Sequence, residues 1–87
     1  SQNYPNPFNA VTRIQFYLPQ ACHIELEICN IVGQAVSIPV RSTLEAGTHI
    51  VEWDGRDSGG RLVASGIYFC RLKAGDFVDT KKMVLLK

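Results

Sequence analysis

Apolar and polar residues alternate along most of this chain. In residues 12–18, Ile14, Phe16 and Leu18 alternate with Arg13, Gln15 and Tyr17, the pattern of a half-buried strand. In residues 22–29, Ile24, Leu26 and Ile28 share one face while His23, Glu25 and Glu27 share the other. Only Pro19, Gln20 and Ala21 separate these two strands, so an antiparallel hairpin is expected. Residues 30–34 carry Gly33 and read as a turn. Residues 35–40 form a third, weaker strand, and Pro39 near its end predicts a sheet edge. Residues 42–47 read as a polar loop ending on a glycine. Residues 48–54 are a fourth strand, with Val51 and Trp53 on one side and Ile50 and Glu52 on the other.

The stretch 54–61, DGRDSGGR, is the densest turn signal in the chain, because its glycines reach positive φ at little steric cost. A short strand is expected at 62–64. A clear one follows at 66–73, with Tyr68, Cys70 and Leu72 opposed to Ile67, Phe69 and Arg71. Ala74, Gly75 and Asp76 make a tight turn into a last strand at 77–86. No stretch sustains a helical period. Six or seven short strands punctuated by turns predict an all-β antiparallel β-sandwich. Trp53 supplies the largest apolar area and is the expected core centre.

The first nine residues fit neither pattern. Pro5 and Pro7 each remove a backbone donor and push the residue before them to extended geometry. The segment 1–9 reads as an extended linker pinned by Tyr4 and Phe8, and 10–87 as one sandwich domain. With 87 residues there is no room for a second core. A hydrophobic fraction of 46% argues against a disordered tail. Nine Lys and Arg against eight Asp and Glu leave a net charge of +1, too little to hold nucleic acid or an anionic bilayer by a long-range field. No apolar run is long enough to span a membrane, and no signal peptide is visible.

Candidate chemistry is sparse. Three cysteines, Cys22, Cys29 and Cys70, and two histidines, His23 and His49, permit a Cys–His pair, but no protease or nucleophile-elbow signature surrounds them. Small buried hydrophobes are the better reading of the cysteines. A Cys29–Cys70 bridge would need their Cα atoms roughly 4.4–6.8 Å apart. Asp54 and Asp57 are weak candidates for a cation, since two carboxylates begin but rarely complete a calcium shell. The alternative is a turn in which Asp54 caps backbone donors and Gly55 takes positive φ. The end of the chain combines Lys81, Lys82 and Lys87 with Met83, Val84, Leu85 and Leu86. It is either a strand buried on both sides, with lysines guarding an edge, or a strand that docks on a partner sheet. The aromatics Tyr4, Phe8, Tyr17, Trp53, Tyr68, Phe69 and Phe77 mostly fall on core positions. Only Tyr17 stands out as an exposed surface for sugar stacking.

Four elements in order carry a family likeness: NYPNPFN at 3–9, NIVGQ at 30–34, WDGRDSGG at 53–60, and SGIYFCRL at 65–72 followed by TKKMVLLK at 80–87. Together they resemble the type A C-terminal sorting domain of the type IX secretion system, and they are similar to the Ig-like domain of the flagellar hook-capping protein. The resemblance implies an Ig-like β-sandwich with no catalytic residues and no cofactor. It implies a domain at the end of a secreted cargo, carried through the periplasm and across the outer membrane of Bacteroidetes-like bacteria to the cell surface or medium. Its partners would be the outer-membrane secretion machinery, a sortase-like cysteine peptidase and the upstream cargo of the same chain. Nucleic acid is not among them. Gly66 and Tyr68 match the family's Gly-x-Tyr element, and Lys81, Lys82, Val84 and Lys87 match its closing basic-hydrophobic strand. Those six are the candidate recognition residues. Cys29 and Cys70 stand where relatives carry aromatics. The alternatives are a structural module of a hook-capping-type assembly or a carbohydrate-binding accessory to a glycosidase.

Overall fold

The structure is a computed structural model that describes residues 11–86. The leading segment with Tyr4 and Phe8, and Lys87 at the end, lie outside the described residues. Six strands are present: β1 (Thr12–Leu18), β2 (Cys22–Cys29), β3 (Ala35–Leu44), β4 (Gly47–Trp53), β5 (Gly66–Ala74) and β6 (Phe77–Leu85). They form two antiparallel sheets. One has the order β3-β2-β5-β6, and the other is the pair β1-β4. No helix occurs among the described residues.

The expected β1–β2 hairpin does not form. β1 pairs instead with β4, from Thr12 opposite Trp53 to Leu18 opposite Gly47, while β2 pairs with β3 and β5. Two physical reasons account for this. A short hairpin loop needs a residue at positive φ, normally Gly, Asn or Asp, and Pro19-Gln20-Ala21 contains none of these. The apolar faces also need covering. Ile14 and Leu18 on one sheet meet Ile24, Leu26 and Ile28 on the other, which a flat hairpin would have left on the same side. Ile24, Leu26 and Ile28 are wholly removed from solvent.

β3 runs further than the polar sequence at 42–47 suggests. Arg41, Ser42, Thr43 and Leu44 stay in register with Glu25, Ile24, His23 and Cys22. Their polar side chains are tolerated because β3 is an edge of its sheet. Pro39 is accommodated as expected at that edge. The register steps from Leu26↔Val40 to Ile28↔Ser37, so Ile38 and Pro39 share a bulge opposite Glu27. The short strand expected at 62–64 reduces to a single bridge, Arg56↔Leu62.

Trp53 closes the core, 3% exposed. Its indole N–H donates to the Arg56 carbonyl at 2.9 Å, and its ring meets Tyr68 edge-on, centroids 5.4 Å apart. Tyr68 in turn donates its hydroxyl proton to the Ala64 carbonyl at 2.7 Å. Two large rings thus bury their apolar bodies and satisfy their polar tips, and they tie the 54–65 loop to β4 and β5.

The outer face of the larger sheet carries a charge ladder. Arg41 donates to Glu25 at 2.7 Å, Lys73 lies between Glu25 (3.6 Å) and Glu27 (3.5 Å), and Arg71 is 3.5 Å from Glu27. Arg41–Glu25, Lys73–Glu25 and Arg71–Glu27 are directly opposed in the register and Lys73–Glu27 is a diagonal neighbour, contacts that favour one alignment over its slips. The Arg41 hydrogen bond, aided by the charges of Arg41 and Lys73, holds the Glu25 carboxyl below its ordinary range against a smaller opposing effect of burial. With the folded-state value depressed, this stabilisation is complete above the unfolded value of ~4.3 and is lost as pH falls through the folded one. Melting temperature followed from roughly pH 6 to pH 3 should therefore decline, and Glu25→Gln should flatten part of the decline. An unchanged profile in the variant would dissociate Glu25 from acid sensitivity.

The open edge at the final strand

A sheet of four strands faced by a sheet of two is only partly covered. The larger sheet has two edges, β3 and β6, and they are not equivalent. β3 is interrupted by Pro39 and its bulge. Its Val36 carbonyl is taken by the loop after β4, through the Ser58 amide at 2.9 Å and the Ser58 hydroxyl at 3.4 Å. β6 is unbroken. Nine consecutive residues pair with β5, from Phe77↔Ala74 to Leu85↔Gly66, without a register shift. Among the described residues, no strand lies on its outer side.

Pairing with β5 fixes which way β6 side chains point, because directly opposite residues share a face. Leu85, Met83, Lys81, Asp79 and Phe77 share the face of Tyr68, Cys70 and Leu72, towards the smaller sheet. Val84, Lys82, Thr80 and Val78 lie on the outer face beside Ile67, Phe69, Arg71 and Lys73. Only Leu85 of β6 is buried, at 2%, and Met83 is partly covered; the rest are exposed. The expectation of a strand buried on both sides does not hold. β6 is a largely solvated edge, anchored at one end.

The candidate recognition residues are thus divided by the structure. Lys82 and Val84 sit together on the outer face, Val84 at 56% exposure opposite the 43% exposed Ile67. Lys82 lies beyond the end of the charge ladder and, among the described residues, has no ion-pair partner. Lys81 points to the opposite face, at the rim of a small cleft shared with Ile14, Gln15, Phe16, Cys70 and Asp79. Tyr68 is buried at 7% and engaged with Trp53 and Ala64, so its contribution runs through the fold. Gly66 starts β5 with φ +153°, opposite Leu85, where a side chain would be strained by the backbone and not by crowding. Alternation along the strand separates Lys81 from Lys82 and Val84, and the register between β5 and β6 decides which of the two faces is the outer one.

The other candidates take structural places. Asp54 accepts from the Arg56 amide at 3.1 Å, and Gly55 has φ +76°, the arrangement expected of a turn. Asp57 accepts from the amides of Gly59 (2.9 Å) and Arg61 (3.0 Å), which turns its carboxylate onto its own loop. Among the described residues, no group of three or more His, Cys, Asp and Glu is placed to hold a metal ion. All three cysteines are free. Cys70 pairs with Ile28 and Cys29 with Phe69, so adjacent register positions send Cys29 and Cys70 to opposite faces of the sheet, which no disulfide spans. Burial pushes the Cys70 thiol up to about 11, far from a nucleophile's range. The His49 ring donates to the Glu45 carbonyl at 2.7 Å and stacks on Phe16, centroids 5.5 Å apart. Tyr17 is not isolated: it lines a cleft of about 450 Å³ together with Phe77, Pro19, Gln20 and Asp76.

The architecture defines an all-β, Ig-like sandwich domain. The chain belongs to the family described as the secretion system C-terminal sorting domain, which it matches over residues 2–86. Among solved structures it is similar to FlgD from P. aeruginosa, with a TM-score of 0.68 and 19% sequence identity, over 86% of this chain. That likeness shows the fold, and it agrees with the sequence resemblance to a hook-capping protein. The chain spans only 59% of the length of that structure. No curated protein matches the chain.

Proposed function

We propose that this domain is a non-catalytic address read by the type IX secretion machinery, and that the machinery reads the β6 edge. The observation that carries the reading is the contrast between the two edges of the larger sheet. β3 is blunted by a proline, a bulge and a docked loop, whereas β6 presents an uninterrupted row of backbone groups with Lys82 and Val84 exposed beside it. An edge left open in this way suits recognition by strand addition, with main-chain bonds supplying affinity and flanking side chains supplying selectivity. The upstream cargo of the same chain would travel with the domain through the periplasm and across the outer membrane. A sortase-like cysteine peptidase at the cell surface would then process it. The carbohydrate and hook-cap readings have no comparable support, since a likeness at 19% identity speaks for fold alone.

The test is a secreted reporter carrying the domain, with Lys82→Glu and Val84→Asp combined. Both positions are exposed, so stability should stay within about 0.5 kcal/mol for each change. Export should fall roughly tenfold, the equivalent of ~1.4 kcal/mol of lost recognition. Undiminished export of a folded double variant would overturn the β6 reading.

A further inference from the structure

The same open edge is complementary to itself. Two copies related by a two-fold axis perpendicular to the sheet, with core faces on the same side, pair residue against residue about one central position. Centring on Thr80 places Thr80 against Thr80, Asp79 against Lys81 twice, Val78 against Lys82 twice, and Phe77 against Met83 twice. The opposite charges share the inner face, as do Phe77 and Met83. Phe77 is 59% and Val78 54% exposed in the single chain, so both have area to bury. The Met83 thioether is a favourable neighbour for the Phe77 ring, and the Lys82 stem can lie along Val78.

Neighbouring registers lose this match. Centring on Asp79 sets two carboxylates against each other, and centring on Lys81 or Lys82 sets two ammonium groups against each other. Lysine on an edge ordinarily opposes self-pairing. Here the alternation of Asp79 and Lys81 turns that opposition into a selector for one alignment. Neither residue has an ion-pair partner among the described residues, so none must be broken to form the new pairs. β6 also has no proline or bulge to stop a second copy from approaching. We infer that the domain forms a two-fold homodimer by antiparallel pairing of β6 with β6, centred on Thr80. The two four-stranded sheets then become one of eight strands. The partner is a second copy of this chain, selected by the Asp79–Lys81 cross-pairs.

This inference uses the edge discussed under the proposed function but does not depend on export. A paired edge is closed to strand addition, so dimer and recognised monomer would exclude one another. The test reads mass against concentration by sedimentation equilibrium, with no secretion step. The wild-type chain should show a concentration-dependent monomer–dimer equilibrium. Asp79→Lys alone, or Lys81→Asp alone, sets like charges opposite each other at two places and should weaken it by roughly tenfold or more. The double variant carrying both changes restores the opposite-charge pairs and should recover dimerisation. Mixing the two single variants should also give a heterodimer, because each supplies the charge the other lacks. A wild-type chain that stays monomeric at millimolar concentration overturns the proposal. So does a dimer indifferent to the single changes, or one the charge swap does not restore. Export lost in Lys82→Glu/Val84→Asp while dimerisation follows the charge-swap pattern would support both readings; dimerisation without any effect on export would remove only the secretion reading.

Discussion

Trp53→Ala is expected to leave the domain barely folded. Truncating a buried tryptophan costs about 3–5 kcal/mol in transfer free energy and residual cavity. A domain of this size holds a total of only ~4–13 kcal/mol, at 0.05–0.15 kcal/mol per residue. The position also has specific connections. The ring is 3% exposed, meets Tyr68 edge-on, and donates to the Arg56 carbonyl. Removal therefore loosens the 54–65 loop, because Tyr68 and its bond to Ala64 hold the other end of the same segment. Trp53→Phe separates these effects. It keeps most of the apolar area, deletes the N–H donor, and should cost about 1–3 kcal/mol through the unpaired Arg56 carbonyl and the lost volume. Urea denaturation followed by circular dichroism measures both. A Trp53→Ala variant within 1 kcal/mol of the wild type would remove Trp53 from the centre of the core.

Deletion of residues 84–87 should abolish export, for two reasons that the structure separates. It removes exposed Val84 from the proposed recognition edge. It also removes Leu85, the buried end of β6, which packs into the core opposite Gly66. Loss of a buried leucine costs about 2–5 kcal/mol on its own. Leu85→Ala isolates the second effect, because the strand and its exposed side chains remain. Its export should fall only in proportion to the unfolded fraction, measured in parallel by protease resistance. The deletion should fall far below that proportion. Normal export of the truncated chain would exclude the end of β6 as part of the signal. If Leu85→Ala and the deletion lose export equally at equal folded fractions, the fold alone is being read.

Much of the fold was legible in the side-chain alternation. The strands at 12–18, 22–29 and 66–73 lie where the period of two places them, and Trp53, Tyr68, Cys70 and Leu72 face inward as their positions require. What failed was pairing. The alternation of β1 and β2 says which face is apolar but not which strand lies alongside. Proximity in sequence favoured a hairpin that the missing glycine and the uncovered apolar faces ruled out. The extent of β3 was also hidden, because Ser42 and Thr43 read as loop until the register with Ile24 and His23 shows them on an edge. The recognition candidates were visible as residue types. Alternation separates Lys81 from Lys82 and Val84, but which of these faces lies outside was not visible, because it depends on the alignment of β6 with β5.

The strand-rich class, the apolar faces, the turn at 54–61 and the family likeness all follow from the order of residues alone. These rest on local rules: side chains alternate at every residue of a strand, and glycine and aspartate close turns within a few positions. Tertiary structure alone decided which strands became neighbours and which edge stayed open. An edge is a property of a sheet, and β6 is one because β5 has β2 on its other side, its paired residues 40–50 positions earlier in the chain. No local pattern encodes that arrangement. It follows from covering Ile24, Leu26 and Ile28 with the face of β1 and β4, which leaves the last strand paired on one side only.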